Sequence, residues 1–171
     1  MKKILLAVTA LFILASATIP CDGRKIPSIV VKKLDGTKFN TSSISNDGKP
    51  IIISFWATWC KPCKRELDEI HEVYSGWQKE TGVKLIAISV DDARSSGKVI
   101  TDVKAKGWKY EVYIDENQDF QRAMGVNNVP HTFIIDGKGD IVFSHNSYAA
   151  GDEDIIYENI KKILKGEKIE H

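Results

Sequence analysis

The chain has 171 residues, 27% of them charged, and a formal net charge of +1. Acidic and basic residues are mixed along its length, which excludes both the basic footprint of a nucleic-acid-binding protein and an acidic tail. A chain of this length, less an N-terminal segment, suits one domain with a full hydrophobic core.

The N-terminus has the pattern of an export signal. Lys2 and Lys3 precede an apolar run at 4–14, and small residues follow at 15–17. This order of charged, apolar and small residues is typical of a secretory signal cleaved after Ala17. The sequence therefore predicts an extracytoplasmic protein, located in the periplasm or cell envelope.

Two alternatives to a cleaved signal stay open. The uncharged stretch at 4–21 is near the lower limit of membrane-spanning length and would act as an uncleaved anchor. Cys21 would alternatively carry a lipid, although Pro20 is a poor match to the small residue that usually precedes a lipidated cysteine. The predicted organisation is a signal or anchor at 1–17, a flexible segment at 18–25 and the domain at 26–171.

The first part of the domain predicts a hairpin followed by a buried strand. Residues 28–39 alternate apolar and polar around Asp35 and Gly36, as in an antiparallel hairpin. After a turn at 46–50, the continuous apolar run at 51–56 predicts a strand buried on both faces.

A long amphipathic helix is predicted next, at 61–80. Pro62 is compatible with it because proline is tolerated in the first turn. The apolar stripe of this helix consists of Leu67, Ile70, Tyr74 and Trp77.

The remaining elements alternate between strands and helices. Strands are predicted at 83–90, 111–114, 132–136 and 141–145, and helices at 95–106, 118–124 and 153–165. This order predicts an α/β domain with a central mixed sheet and helices on both faces. The crossover strands should be parallel, and the last two strands should form an antiparallel hairpin.

The junction between the buried strand and the long helix carries a pair of cysteines, Cys60 and Cys63. Unpaired N–H groups and a partial positive charge at a helix N-terminus stabilise a thiolate. Lys61, Lys64 and Arg65 add positive charge nearby. Cys63 lies about one turn further into the helix, within reach of a disulfide. We interpret the pair as a redox dithiol in which one sulfur attacks and the other resolves.

The alternatives to a redox pair are half of a zinc site and a structural disulfide. Half of a zinc site would need two more ligands, and these would have to come from Cys21 and the four histidines. A purely structural disulfide would close so short a loop that it stabilises little. A Cys-x-x-Cys at a strand-to-helix junction is instead typical of a thioredoxin-like motif.

The sequence FWATWCKPC at 55–63, with this order of elements, resembles the thioredoxin superfamily. It is more closely similar to the extracytoplasmic TlpA/ResA-like thiol-disulfide oxidoreductases, over residues 26–164. The N-terminal hairpin and the extra element at 95–114 also resemble that branch. The resemblance implies that Cys60 is the attacking thiolate and Cys63 the resolving thiol.

A second match to the family lies at Val129 and Pro130, where members carry a cis-proline loop beside the dithiol. From residues alone a trans proline in a turn would be expected. The resemblance implies a cis bond, and main-chain hydrogen bonds from Val129 to an extended substrate segment. His131 either lines this groove or sits on its surface. The predicted substrate-binding residues are Trp59, Lys61, Pro62, Val129 and His131.

One departure from thioredoxin concerns proton transfer. Thioredoxin has a buried aspartate where this chain has Ser54, which cannot take the proton of the resolving cysteine. Glu66, three residues after Cys63 on the same helical face, matches a glutamate that the ResA-like group places near its dithiol. The alternative for Glu66 is a solvated helix charge. Trp59 is expected to flank the site, and Trp56 to pack in the core.

The predicted function is protein-disulfide reduction through a mixed disulfide at Cys60, without a metal or organic cofactor. The implied partners are protein disulfides and a membrane electron donor, with a membrane tether left open, and the chain is expected to be a monomer that binds no nucleic acid. Cytochrome c apoproteins, oxidatively damaged proteins and scrambled disulfides are all candidate substrates. The alternatives are a disulfide-donating oxidase or isomerase, a metal-binding or chaperone module, and a peroxidase.

Overall fold

A computed structural model describes residues 23–167 and 169, so the predicted signal, anchor and lipidation sites lie outside the described residues. The strands are β1 (Val30–Lys33), β2 (Lys38–Asn40), β3 (Ile51–Trp56), β4 (Lys84–Ser89), β5 (Glu111–Ile114), β6 (His131–Ile135) and β7 (Ile141–Asn146). The helices are α1 (Lys61–Thr81), α2 (Ser96–Lys106), α3 (Asp119–Met124) and α4 (Asp152–Leu164), and a short 3₁₀ turn, Thr41–Ser43, follows β2. Apart from those of the hairpin, the first and last residues of each strand and of the helices α1 to α4 lie within one residue of the predicted positions.

The strands form one mixed sheet in the order β2-β1-β5-β4-β3-β6-β7. Strands β3, β4 and β5 are parallel neighbours, whereas β6 pairs antiparallel with both β3 and β7. The β1–β2 hairpin extends the sheet because β1 pairs antiparallel with β5. The predicted thioredoxin-like α/β fold with an N-terminal hairpin is confirmed.

Strand β3 and helix α1 form the centre of the domain. All six residues of β3 are buried, as expected for a strand covered on both faces. The predicted inner stripe of α1 is buried as well, and α1 packs against α4. Helix α1 ends at Gly82, whose φ of 68° is in the left-handed region that glycine adopts without a steric penalty.

Residues just before position 26 already contact the domain. The carbonyl of Arg24 accepts a hydrogen bond from the Ile141 N–H at 2.8 Å. The Lys25 ammonium lies 2.6 Å from a carboxylate oxygen of Asp140. Within residues 23–167 and 169, no helix has both the length and the apolar character needed to cross a membrane.

Candidate active site

The two cysteines lie at the junction between β3 and α1, and they are joined as a disulfide. Cys60 is the residue that caps the helix, and its sulfur accepts a hydrogen bond of 3.2 Å from the Cys63 N–H. No acidic residue occupies the first turn of α1, so the positive end of the helix is not offset there. Cys60 is 4% exposed and Cys63 is fully buried, which makes Cys60 the more accessible sulfur.

The loop before Cys60 is held by a buried carboxylate, Asp91, at the carboxyl end of β4. Asp91 accepts the Thr58 N–H at 2.8 Å and the Thr58 hydroxyl at 2.7 Å. The hydroxyl of Ser89 donates to the same carboxylate at 2.8 Å. Asp91 is only 2% exposed, so these hydrogen bonds replace its contacts with water. Asp91 thus fixes the turn that carries Cys60.

Asp91→Ala should lower the free energy of unfolding and slow thiol exchange. The substitution leaves the Thr58 and Ser89 donors without their acceptor, and an unsatisfied buried donor costs about 1–3 kcal/mol. Urea unfolding and the rate of reaction with glutathione disulfide measure the two effects. Asp92→Ala is the matched control because the Asp92 side chain is 42% exposed and pairs with Arg94 at the surface. Equal stability and rate in the two variants would contradict this role of Asp91.

Glu66 is fully buried, one turn of α1 beyond Cys63. Its two carboxylate oxygens accept hydrogen bonds from the Ser54 hydroxyl at 3.0 Å and from the Thr132 hydroxyl at 2.8 Å. Burial raises the pKa of Glu66 to about 7, against the opposing effect of these hydrogen bonds. The alternative of a solvated helix charge is therefore wrong, and the carboxyl group can exchange a proton near neutral pH.

The Val129–Pro130 peptide bond is cis, as the family resemblance implies. Phe55 of β3 pairs with His131 of β6, so the chain just before His131 lies at the same end of the sheet as the Cys60 turn. The Pro130 carbonyl accepts the Ser147 N–H at 3.0 Å, whereas the main chain of Val129 has no hydrogen-bond partner within the described residues. This segment can therefore pair with an added strand.

The surface around the dithiol is exposed and partly apolar. Trp59 is 72% exposed, a large value for an aromatic side chain, and Lys61 and Pro62 are exposed beside it. His131 is half-buried; its ring stacks on Phe133 and its Nε2 lies 2.8 Å from the Ser144 hydroxyl. Of the five predicted substrate-binding residues, three lie on the Cys60 turn and the start of α1, and two lie at the start of β6.

Trp56 belongs to the core and not to this surface. It is fully buried and packs edge-on against Trp108 with ring centroids 5.1 Å apart. Among residues 23–167 and 169, no group of three or more His, Cys, Asp and Glu side chains is arranged to hold a metal ion.

The roles of Asp91, Ser54 and Thr132 in the site were not predicted from the sequence. A polar residue inside a continuous apolar strand is the available signal for Ser54 and Thr132, since such a residue needs a buried partner. Asp91 directly follows an apolar strand at the carboxyl edge of the sheet, where sites in α/β proteins form.

A cysteine pair at the first turn of a helix, beside a cis-proline loop on a mixed sheet, defines a thioredoxin-like thiol-disulfide oxidoreductase. Residues 23–144 match the AhpC/TSA family, and the chain belongs to it. It is 35% identical over 144 residues to the thiol-disulfide oxidoreductase ResA of Bacillus thuringiensis (strain Al Hakam), covering 84% of this chain and 75% of that one.

Solved structures have the same fold. A thioredoxin-like protein from Porphyromonas gingivalis is 44% identical, with a TM-score of 0.75 over 85% of this chain and 95% of that chain. A secreted Mycobacterium tuberculosis disulfide oxidoreductase is 19% identical, with a TM-score of 0.65 over 78% of this chain and 95% of that chain. The second likeness supports the fold alone.

Proposed function

We propose that the chain is an extracytoplasmic protein-disulfide reductase that attacks substrates with Cys60 and resolves with Cys63. The observation that carries the proposal is the Cys60 sulfur at the N-terminus of α1, with the more deeply buried Cys63 one turn further in. A sulfur that faces helix N–H groups is favoured as a thiolate, the form that reacts. An inert disulfide would gain nothing from this placement.

The reaction has two exchange steps. The Cys60 thiolate attacks one sulfur of the substrate disulfide, and the other substrate sulfur leaves as a thiolate and takes up a proton. Cys63 then loses its proton and attacks the Cys60 sulfur in the mixed disulfide. The remaining substrate sulfur leaves as a thiolate and is protonated. The substrate gains two electrons and two protons, and Cys60 and Cys63 become the disulfide.

We assign Glu66 as the group that takes the proton of Cys63. Its pKa of about 7 leaves part of the population ionised at neutral pH and able to accept a proton. Ser54 donates its hydroxyl hydrogen to Glu66, so it supports the carboxylate instead of acting as the base. Cys60 and Cys63 supply the two electrons, and the protons pass between thiols, Glu66 and solvent, so we propose no metal or organic cofactor.

The proposed substrate is an extended segment of a protein that contains a disulfide. The open main chain of Val129 would pair with this segment in the manner of an added strand. Trp59 offers a large exposed aromatic surface next to the attacking sulfur. Lys61, Pro62 and His131 complete the proposed contact surface around it.

We propose that electrons flow from the dithiol to the substrate. Pro62 before the second cysteine resembles the Cys-Gly-Pro-Cys of thioredoxin, whose potential is about −270 mV, unlike the strong periplasmic oxidants at about −120 mV. Lys61 acts in the opposite sense because a cation beside Cys60 stabilises the reduced form. Solvent screens a surface charge, so we expect a smaller effect from Lys61. A membrane electron donor would keep the pair reduced outside the cytoplasm.

The reduction potential tests this direction. Equilibration of the purified protein with glutathione buffers, followed by thiol labelling, should give a potential closer to about −270 mV than to about −120 mV. A value near the oxidising end, or a pair that is chiefly oxidised in growing cells, would favour the disulfide-donating oxidase. Metal analysis of the same sample separates both from a metal-binding module.

Export is supported by the basic, apolar and small-residue order of positions 2–17. An oxidising compartment is also where protein disulfides form and would need a dedicated reductase.

A further inference from the structure

Three polar side chains form a row across neighbouring strands, on the face of the sheet that Glu66 contacts. Ser54 of β3 pairs with Thr132 of β6, and Thr132 pairs with His145 of β7. Residues directly opposite in antiparallel strands point to the same face, with Cβ atoms about 4.5–5.5 Å apart. His145 therefore stands next to Thr132, whose hydroxyl donates to Glu66.

At the outer end of this row, His145 contacts Asp152 near the surface. The Nε2 of His145 lies 3.1 Å from a carboxylate oxygen of Asp152, the first residue of α4. The same oxygen accepts the Ala149 N–H at 2.7 Å, which orients the carboxylate. The His145 and Asp152 side chains are 34% and 17% exposed, whereas Glu66 is fully buried. The row of Ser54, Thr132 and His145 thus links the buried Glu66 carboxyl group to His145 and Asp152, which contact solvent.

We propose that the His145–Asp152 pair controls the charge of Glu66 through this polar row, and thereby sets the pH at which the resolving step is fastest. The proposal rests on the proposed role of Glu66 as the proton acceptor for Cys63. His145 and Asp152 act through Glu66, so they are positioning residues and not catalytic ones.

The charges of His145 and Asp152 determine the direction in which each residue shifts the pKa of Glu66. A positive charge on His145 favours the anionic form of Glu66, whereas the negative charge of the Asp152 carboxylate opposes a second anion there. Consistent with this, protonated His145 lowers the pKa of Glu66 and Asp152 raises it, although burial has the larger effect.

Other titratable groups face the same region. Burial raises the pKa of the Tyr110 phenol, so this neighbour of Glu66 stays neutral in the relevant pH range. Cys63 faces Glu66 from α1 itself. His131 of β6 is within electrostatic reach of His145, and burial, followed by the charge of His145, lowers the pKa of its imidazole.

Two substitutions should move the Glu66 titration in opposite directions. His145→Gln leaves Asp152 uncompensated and should raise the pH at the midpoint of the Glu66 titration by about half a pH unit or more. Asp152→Asn removes the negative charge beside His145 and should lower the midpoint. The side-chain oxygen of the asparagine can still accept the Ala149 N–H. The double variant should return towards the wild-type midpoint. General damage to the fold would not produce opposite shifts that cancel.

The primary measurement is an NMR titration of the Glu66 carboxyl carbon in the ¹³C-labelled, disulfide-bonded protein. His71→Gln is the matched control, because it removes an imidazole from α1 that lies outside the polar row. Opposite shifts in the two single variants, with no shift in the control, are expected. Midpoints that stay fixed, or that move in the same direction in both variants, would overturn the proposal.

A second measurement separates this proposal from the proposed function. The pH dependence of the reaction between the reduced protein and glutathione disulfide should shift in the same direction as each NMR midpoint. Shifted NMR midpoints with an unchanged rate profile would uphold control of Glu66 by the pair but reject Glu66 as the base. Unshifted midpoints would reject the inference whatever the rate profile shows.

Discussion

Cys60→Ser should abolish thiol-disulfide exchange, whereas Cys63→Ser should still attack a disulfide and then stop as a mixed disulfide. The reason is that attack and resolution are sequential steps carried out by different sulfurs. Cys60 caps α1 and is the more exposed of the two, while Cys63 is fully buried. Reaction of each variant with glutathione disulfide, followed by mass spectrometry, measures adduct formation directly.

The background for both variants should be Cys21→Ser, since Cys21 is the third cysteine of the chain and would otherwise offer a competing thiol. The Cys21→Ser protein with the dithiol intact should exchange normally and accumulate no stable adduct. A stable adduct on the Cys60→Ser variant, with none on Cys63→Ser, would reverse the assignment of the attacking sulfur. The Cys63→Ser variant would also capture native substrates in the cell envelope.

The fold could be predicted because its main elements carry strong local patterns. The apolar run of β3 indicates a strand buried on both faces, and the apolar stripe of α1 repeats with the helical period from Leu67 to Trp77, about three turns. The β1–β2 hairpin was less sharply predicted, because its strands are short and its start depends on pairing with β5. The sequence of β1 does not indicate that β5 is its neighbour in the sheet.

The site could be predicted only where its chemistry is local. Cys60 and Cys63 are three residues apart, so the motif and its helix position are visible in one short segment. Glu66 meets Thr132 across 66 residues of sequence, and Asp91 meets Thr58 across 33. Hydrogen bonds over such separations follow from strand order and register, which a single sequence does not specify.

Only part of the role of Ser54 could be predicted from the sequence. The resemblance to thioredoxin implies that a serine at this position cannot replace the buried aspartate as proton acceptor. The structure adds that its hydroxyl donates to Glu66, which lies on the adjacent helix. In this chain the buried acidic group, Glu66, lies on α1, and β3 supplies a hydrogen bond to it.

Glu66→Gln should slow exchange near neutral pH and change the shape of the pH–rate profile, without disrupting the fold. Gln has nearly the same size and can still hydrogen bond with Ser54 and Thr132, but it cannot accept the proton of Cys63. Loss of a general base typically costs about two to four orders of magnitude when that step limits the rate. Glu69→Gln is the matched control, because Glu69 lies on the same helix with an exposed side chain.

The same variant should also change how stability depends on pH. The pKa of Glu66 is 4.5 in the unfolded reference and about 7 in the folded protein, so the folded state binds this proton more tightly. The resulting stabilisation is fully present below pH 4.5 and is lost as the pH rises to about 7. At about 1.4 kcal/mol for each pH unit of separation, the loss is about 3 kcal/mol. Glu66→Gln lacks a titrating group here and should not show this loss.

Urea unfolding of the oxidised proteins between pH 4.5 and pH 7 makes the comparison. The difference in the free energy of unfolding between wild type and Glu66→Gln should shift in favour of the variant as the pH rises, and any constant effect of the amide cancels in that difference. Glu69→Gln should follow the wild type throughout. If the two variants behave alike in both stability and rate, Glu66 neither titrates near neutral pH nor serves Cys63. A shift in stability without a change in rate would keep the buried titration and remove Glu66 from the exchange reaction.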